Sequence, residues 1–112
     1  MTKNELAASY DAIQIKRNES IHELFKKALF DIPNLENLYI DYSNGDLKLL
    51  EIHPTYILVD TVFEEFPENY KESGDPYKIY LEDYEDLGDD DCVVDIELEV
   101  NTINAILIGY YV

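Results

Sequence analysis

The chain predicts an α+β domain, two N-terminal helices packed on a mostly antiparallel sheet of about five to six strands. Three observations carry that expectation. Apolar residues recur at three- and four-residue steps before Pro33, the spacing of a helix face. From Asn37 onward the period changes to two, the signature of strands. Helices grouped apart from a run of strands give a layered fold with the helices on one face of the sheet. At 112 residues and 46% hydrophobic, the chain is sized for a single domain, residues 1–112, with one core.

Thr2-Lys3-Asn4-Glu5 has the spacing of a capping box and opens the first helix, with Leu6, Tyr10 and Ile13 as its stripe. Asn18 is expected to interrupt it. Ser20-Ile21-His22-Glu23 is a second capping box, opening a helix with Ile21, Leu24, Phe25, Ala28 and Leu29 on one face. One bent helix is the alternative. Lys26 and Lys27 lie near its C-terminal end, where cations suit the helix dipole, and Pro33 stops it.

Leu38, Ile40 and Tyr42 alternate with Tyr39 and Asp41 as a first strand. Ser43-Asn44-Gly45-Asp46 supplies a turn, and Leu47 to Ile52 returns as its partner. The Leu49-Leu50 doublet breaks the alternation and marks a bulge or a change of buried face. Thr55 to Phe63 is apolar on both faces, which predicts an interior strand covered on both sides. Glu64 to Pro76 reads as a long loop and Tyr77 to Leu81 as a short strand. Cys92 to Val100 alternates throughout, predicting a half-buried strand with Asp95, Glu97 and Glu99 on its wet face. Asn101-Thr102 is the expected turn into a last strand, Ile103 to Val112.

Charge is the strongest compositional fact. Twenty-five acids face eight bases, a net charge of −17. Residues 1–54 hold nine acids and six bases, and residues 55–112 hold sixteen and two. The density peaks at Glu82 to Asp91, EDYEDLGDDD, where seven of ten residues are carboxylates. Such crowding costs self-repulsion and builds no core. Nucleic acid and anionic lipid are disfavoured ligands, since both demand Lys and Arg. A basic protein is favoured, drawn in by the complementary field.

Catalytic and metal chemistry are poorly represented. A calcium loop starting at Asp83 fits at Glu85 and Gly88 but fails at Leu87 and Val94. Cys92 opens an apolar alternation and reads as a small core residue, its thiol made less reactive by neighbouring acids. His22 and His53 lack ligand spacing and read as surface or structural histidines. No glycine-rich phosphate loop is present among four glycines. No cofactor, metal or catalytic residue is therefore assigned. A lone cysteine, no signal-like start and no membrane-length apolar run make the cytoplasm the expected compartment.

The expected function is that of an acidic immunity- or antitoxin-type protein, not an enzyme, which neutralises a basic nuclease-like toxin by blocking its cleft. Glu82, Asp83, Tyr84, Glu85, Asp86, Asp89, Asp90 and Asp91 are the expected contact, extended by Asp95, Glu97 and Glu99. Carboxylates supply acceptors for Arg and Lys, and tyrosine supplies stiff contact area with a polar tip. Tyr77 and Tyr80 stand between core and interface. A nucleic-acid mimic that blocks a DNA-binding system is the alternative. A small enzyme with a cationic substrate is a third reading, requiring a pocket of convergent acids.

Overall fold

The computed structural model describes residues 1–42, 45–66, 69–81 and 95–111. The order of elements is α1 (Lys3–Asp31), β1 (Tyr39–Tyr42), β2 (Gly45–Ile52), β3 (Tyr56–Phe66), β4 (Asn69–Glu72), β5 (Tyr77–Tyr80) and α2 (Ile96–Gly109). The class is α+β, but one helix lies at each end of the chain.

The two expected N-terminal helices are one. No glycine or proline falls between Lys3 and Asp31, and the polar residues there cost only a few tenths of a kcal/mol each as helix formers. Ser20 caps nothing; its hydroxyl donates back to the Lys16 carbonyl at 2.9 Å. The Thr2 box is formed, with the Glu5 N–H donating to Thr2 Oγ1 at 3.2 Å and the Thr2 N–H to Glu5 Oε2 at 3.3 Å. Pro33 ends the helix by pushing Ile32 into extended backbone, φ −99° and ψ 118°. Because the helix runs on to Asp31, Lys26 and Lys27 fall short of its last turn.

The sheet is antiparallel, ordered β1-β2-β3-β4, with β5 also paired to β3. β4 pairs with Val62 to Phe66 and β5 with Tyr56 to Val59, so the two short strands share one edge of β3 end to end. The register Tyr42↔Gly45 closes the β1–β2 hairpin, and Gly45 has φ +128°, open to glycine. The bulge expected at Leu49-Leu50 is present as a register shift between Leu49 and Glu51. The expected loop over Glu64–Pro76 is corrected: β3 continues to Phe66 and Asn69–Glu72 is a strand.

β3 is interior, bonded along both edges, but only one of its faces meets the helices. Phe25 and Leu29 of α1 and Leu98 and Ile106 of α2 join Ile40, Leu47, Leu49, Ile57 and Val59 in one core. Lys48, Leu58, Asp60 and Val62, of opposite parity, lie outside that cluster. The strands expected over Cys92–Val100 and Ile103–Val112 are also corrected where the structure describes them, as helix over Ile96–Gly109; Cys92–Val94 and Val112 lie outside the described residues. Asp95 caps a helix in which Leu98, Thr102 and Ile106 recur at four-residue steps on the buried side.

The first buried residue of α1 is His22. Earlier turns stand clear of the core, and the molecule measures 55 × 29 × 28 Å. Its radius of gyration, 16.2 Å, exceeds the roughly 13 Å of a compact domain this long.

Candidate functional site

Of the eleven expected contact residues, Glu82, Asp83, Tyr84, Glu85, Asp86, Asp89, Asp90 and Asp91 lie outside the described residues. Their flanks are placed. Leu81 is buried, and its N–H donates to the Thr55 carbonyl at 2.8 Å. Asp95 accepts from the Tyr42 hydroxyl at 3.2 Å. Thr55 precedes the start of β3, while Tyr42 sits over the opposite end, since Tyr42 pairs with Gly45 and the adjoining Asp46 with Val62. The described flanks of the acidic run, Leu81 and Asp95, thus lie at points separated by the Thr55-to-Val62 span, roughly 23 Å at the rise of a strand. The run joins a strand to a helix, and not two strands as expected.

Asp95 is fixed from two sides. One carboxylate oxygen accepts the Glu97 N–H at 2.9 Å, an N-cap bond, and the other takes the Tyr42 hydroxyl. Burial first, and the Asp95 carboxylate second, hold the Tyr42 phenol above the ordinary tyrosine range. Glu97 adds a negative charge to the same corner, and Tyr77 lies close enough to act on Tyr42 electrostatically. Acids in the first turn suit the positive end of the helix dipole.

The expected wet row of Asp95, Glu97 and Glu99 is broken by the helix. Two residues make a full alternation in a strand but about 200° of rotation in a helix, which sends Glu97 and Glu99 to opposite sides. Asp95 and Glu97 are exposed; Glu99 is fully buried and is removed from the contact set. It meets His22 of α1 through Nδ1, while His22 Nε2 and Glu99 Oε2 find no partner among the described residues. Burial lifts the Glu99 carboxyl above the ordinary glutamate range, against the pull of His22 and Lys26.

The tyrosines are clearer. Tyr77 is 43% exposed and Tyr80 49% exposed. Tyr80 lies 5.8 Å from Tyr56, which stacks on His53 at 4.4 Å and carries the Lys78 ammonium 4.7 Å from its ring centre. This aromatic group borders Leu81, the last described residue before the acidic run. It came together through the register Tyr56↔Tyr80, which no single-strand pattern reveals.

On the helix-free face, Asp60 is buried and accepts from the Ser73 hydroxyl and from the Gly74 N–H at 3.0 Å. The Ser73 bond foremost holds its carboxyl below the ordinary aspartate range. Lys48 reaches across β3 to Glu72. A cleft of about 480 Å³ between β1 and α2 is lined by the carboxamides Asn37, Asn101 and Asn104, by Tyr39 and by a single carboxylate, Asp41, among apolar residues such as Leu38 and Ile108. Neither Asp60 nor Glu99 lines it. Among the described residues no three of His, Cys, Asp and Glu come together as metal ligands, and no helix is long and apolar enough to cross a membrane. No protein-family model matches the chain, and neither a curated protein nor a solved structure matches it.

Proposed function

We propose that the protein is a non-enzymatic inhibitor that binds a basic, nuclease-like toxin and covers its cleft with the acidic run Glu82–Asp91 and its flanks. The observation that carries this reading is the segregation of charge. α1 holds five bases and five acids, so three bases and twenty acids fall to the rest of the chain, and all of the −17 lies there. A cleft that cleaves RNA or DNA must be rich in Lys and Arg, and carboxylates complement it directly. Exposed Asp95 and Glu97 extend the run at one end. Tyr77 and the Tyr56–Tyr80 pair offer aromatic area beside it.

Function then follows from field and contact together. The acidic surface speeds capture of a cationic partner, and buried tyrosine and Arg–carboxylate pairs hold it once docked. The test uses the product of the adjacent gene, expressed with and without this chain. Growth arrest and nucleic-acid cleavage by that product alone, both abolished by equimolar inhibitor, are the expected result. A neighbour with no toxicity, or one whose cleavage continues at saturating inhibitor, overturns the reading.

A further inference from the structure

We propose that the cleft between β1 and α2 takes an extended, Lys- or Arg-bearing segment of the partner as an added strand on β1. β1 is the outer strand of the sheet, paired with β2 alone among the described residues. The ladder fixes which of its main-chain groups look outward. The Leu49 N–H donates to the Leu38 carbonyl at 2.9 Å, so Ile40 and Tyr42, of the same parity, also turn toward β2. Asp41 has the opposite parity and turns its N–H and C=O away from β2, toward the edge where an added strand pairs. α2 lies alongside. Its cap Asp95 accepts from the Tyr42 hydroxyl, and a Cβ placed on Gly109 would come within 3.2 Å of Leu38. The helix thus runs antiparallel to β1 along its length, and the cleft of about 480 Å³ is the space between them.

Three features select a basic peptide as the occupant. Asn101, Asn104 and Ile108 recur along α2 at steps of three and four residues, so one stripe of the helix lines the cleft. Asparagine is a weak helix former, yet two fall in the middle of this apolar helix on that stripe. A carboxamide both donates and accepts, as a peptide group does. Asn101 and Asn104 on one wall and Asn37 on the other can therefore hold a main chain whatever its sequence. Leu38 and Ile108 give apolar contact to alternate side chains of an extended segment. Charge decides the remaining side chains. Asp41 is the single carboxylate of the lining, and exposed Asp95 and Glu97 stand at the Tyr42 end of α2. Lys or Arg leaving the added strand meets these acceptors, whereas an acidic segment is repelled. The choice of a basic protein as the source of the segment rests on the function proposed above, to which the cleft adds a contact separate from Glu82–Asp91.

The probe is a capped hexapeptide alternating lysine and valine, titrated into the full chain at about 150 mM salt and followed by amide NMR. Saturable shifts confined to β1 and α2, the Asn101 and Asn104 side-chain amides included, are the expected result. Asn101→Ala with Asn104→Ala weakens binding at least about tenfold while the far-ultraviolet helix signal persists. N-methylation of the peptide at every second residue removes the donors along one edge of the added strand. Methylating one parity abolishes binding, and methylating the other leaves it intact. The glutamate–valine counterpart does not bind. No saturation by about 1 mM peptide overturns the proposal, as do shifts centred elsewhere. Binding indifferent to methylation at both parities also overturns it, since attraction of charge alone would then suffice. The titration needs no toxin, so the two readings fail separately. A peptide that does not bind strikes the added strand and leaves the acidic run its contact. A peptide that binds, beside a neighbouring gene product without toxicity, keeps the cleft and removes the toxin.

Discussion

His22 of α1 and Glu99 of α2 meet through Nδ1 and Oε1 inside the helix layer, 77 residues apart in the chain and shut off from solvent. Each has a second polar atom without a partner among the described residues. The pair ties the first helix to the last.

Removing one member leaves the other buried and uncompensated. Glu99→Ala is expected to cost about 3 kcal/mol in urea unfolding. His22→Leu with Glu99→Leu, which removes both polar groups, is expected to lose less than Glu99→Ala alone. A double variant as unstable as the sum of its parts refutes the coupling.

The same carboxyl makes stability depend on pH in an unusual direction. Its folded value is raised, so the folded chain retains a proton that the unfolded chain releases. That contribution is complete below the unfolded glutamate value and is lost as pH rises through the folded one. Glu99→Gln is therefore expected to gain on the wild type as pH rises across this window. A difference that stays flat with pH excludes Glu99 as the titrating group.

Asp60 has the opposite sign. Its folded value is lowered, chiefly by Ser73, so its contribution is present above the unfolded aspartate value and is lost as pH falls through the folded one. Asp60→Asn should be less stable than the wild type near neutrality and converge on it in acid. Parallel stability curves for the two proteins would show that Ser73 and Gly74 bind the neutral amide equally well.

Asp95 both caps α2 and holds Tyr42. Asp95→Ala should cost about 1 kcal/mol, and Asp95→Asn only a fraction of that, because the amide oxygen still accepts the Glu97 N–H. In Asp95→Asn the Tyr42 phenol moves part of the way back toward its ordinary value, since burial remains, and ultraviolet titration reads the shift. Equal stability loss in both variants would remove the cap from the account.

Replacing Asp89, Asp90 and Asp91 with Asn should slow association with the proposed basic partner and weaken its salt dependence. Unfolding should change by no more than about 0.5 kcal/mol. Stopped-flow rates at several salt concentrations measure both slopes, and an unchanged association rate takes the triplet out of the contact.

What the sequence determined by itself is what depends on near neighbours. The Thr2–Glu5 cap, the Pro33 stop, the β1–β2 hairpin and the Leu49-Leu50 bulge are all local, and all are legible. So is the charge imbalance, which needs no fold. Tertiary structure decided the rest. Residues 96–109 alternate like a strand near their start, but Leu98, Thr102 and Ile106 find a helix-shaped vacancy beside Phe25 and Leu29, and burial outweighs β-branched propensity. That choice turned Glu99 from the wet face to the interior, opposite a histidine far away in the chain. The pairing of Tyr56 with Tyr80 and the exposed stripe of α1 have the same origin. Which side chain meets which, and which is left uncovered, is fixed by packing between distant elements, and periodicity along one segment does not encode it.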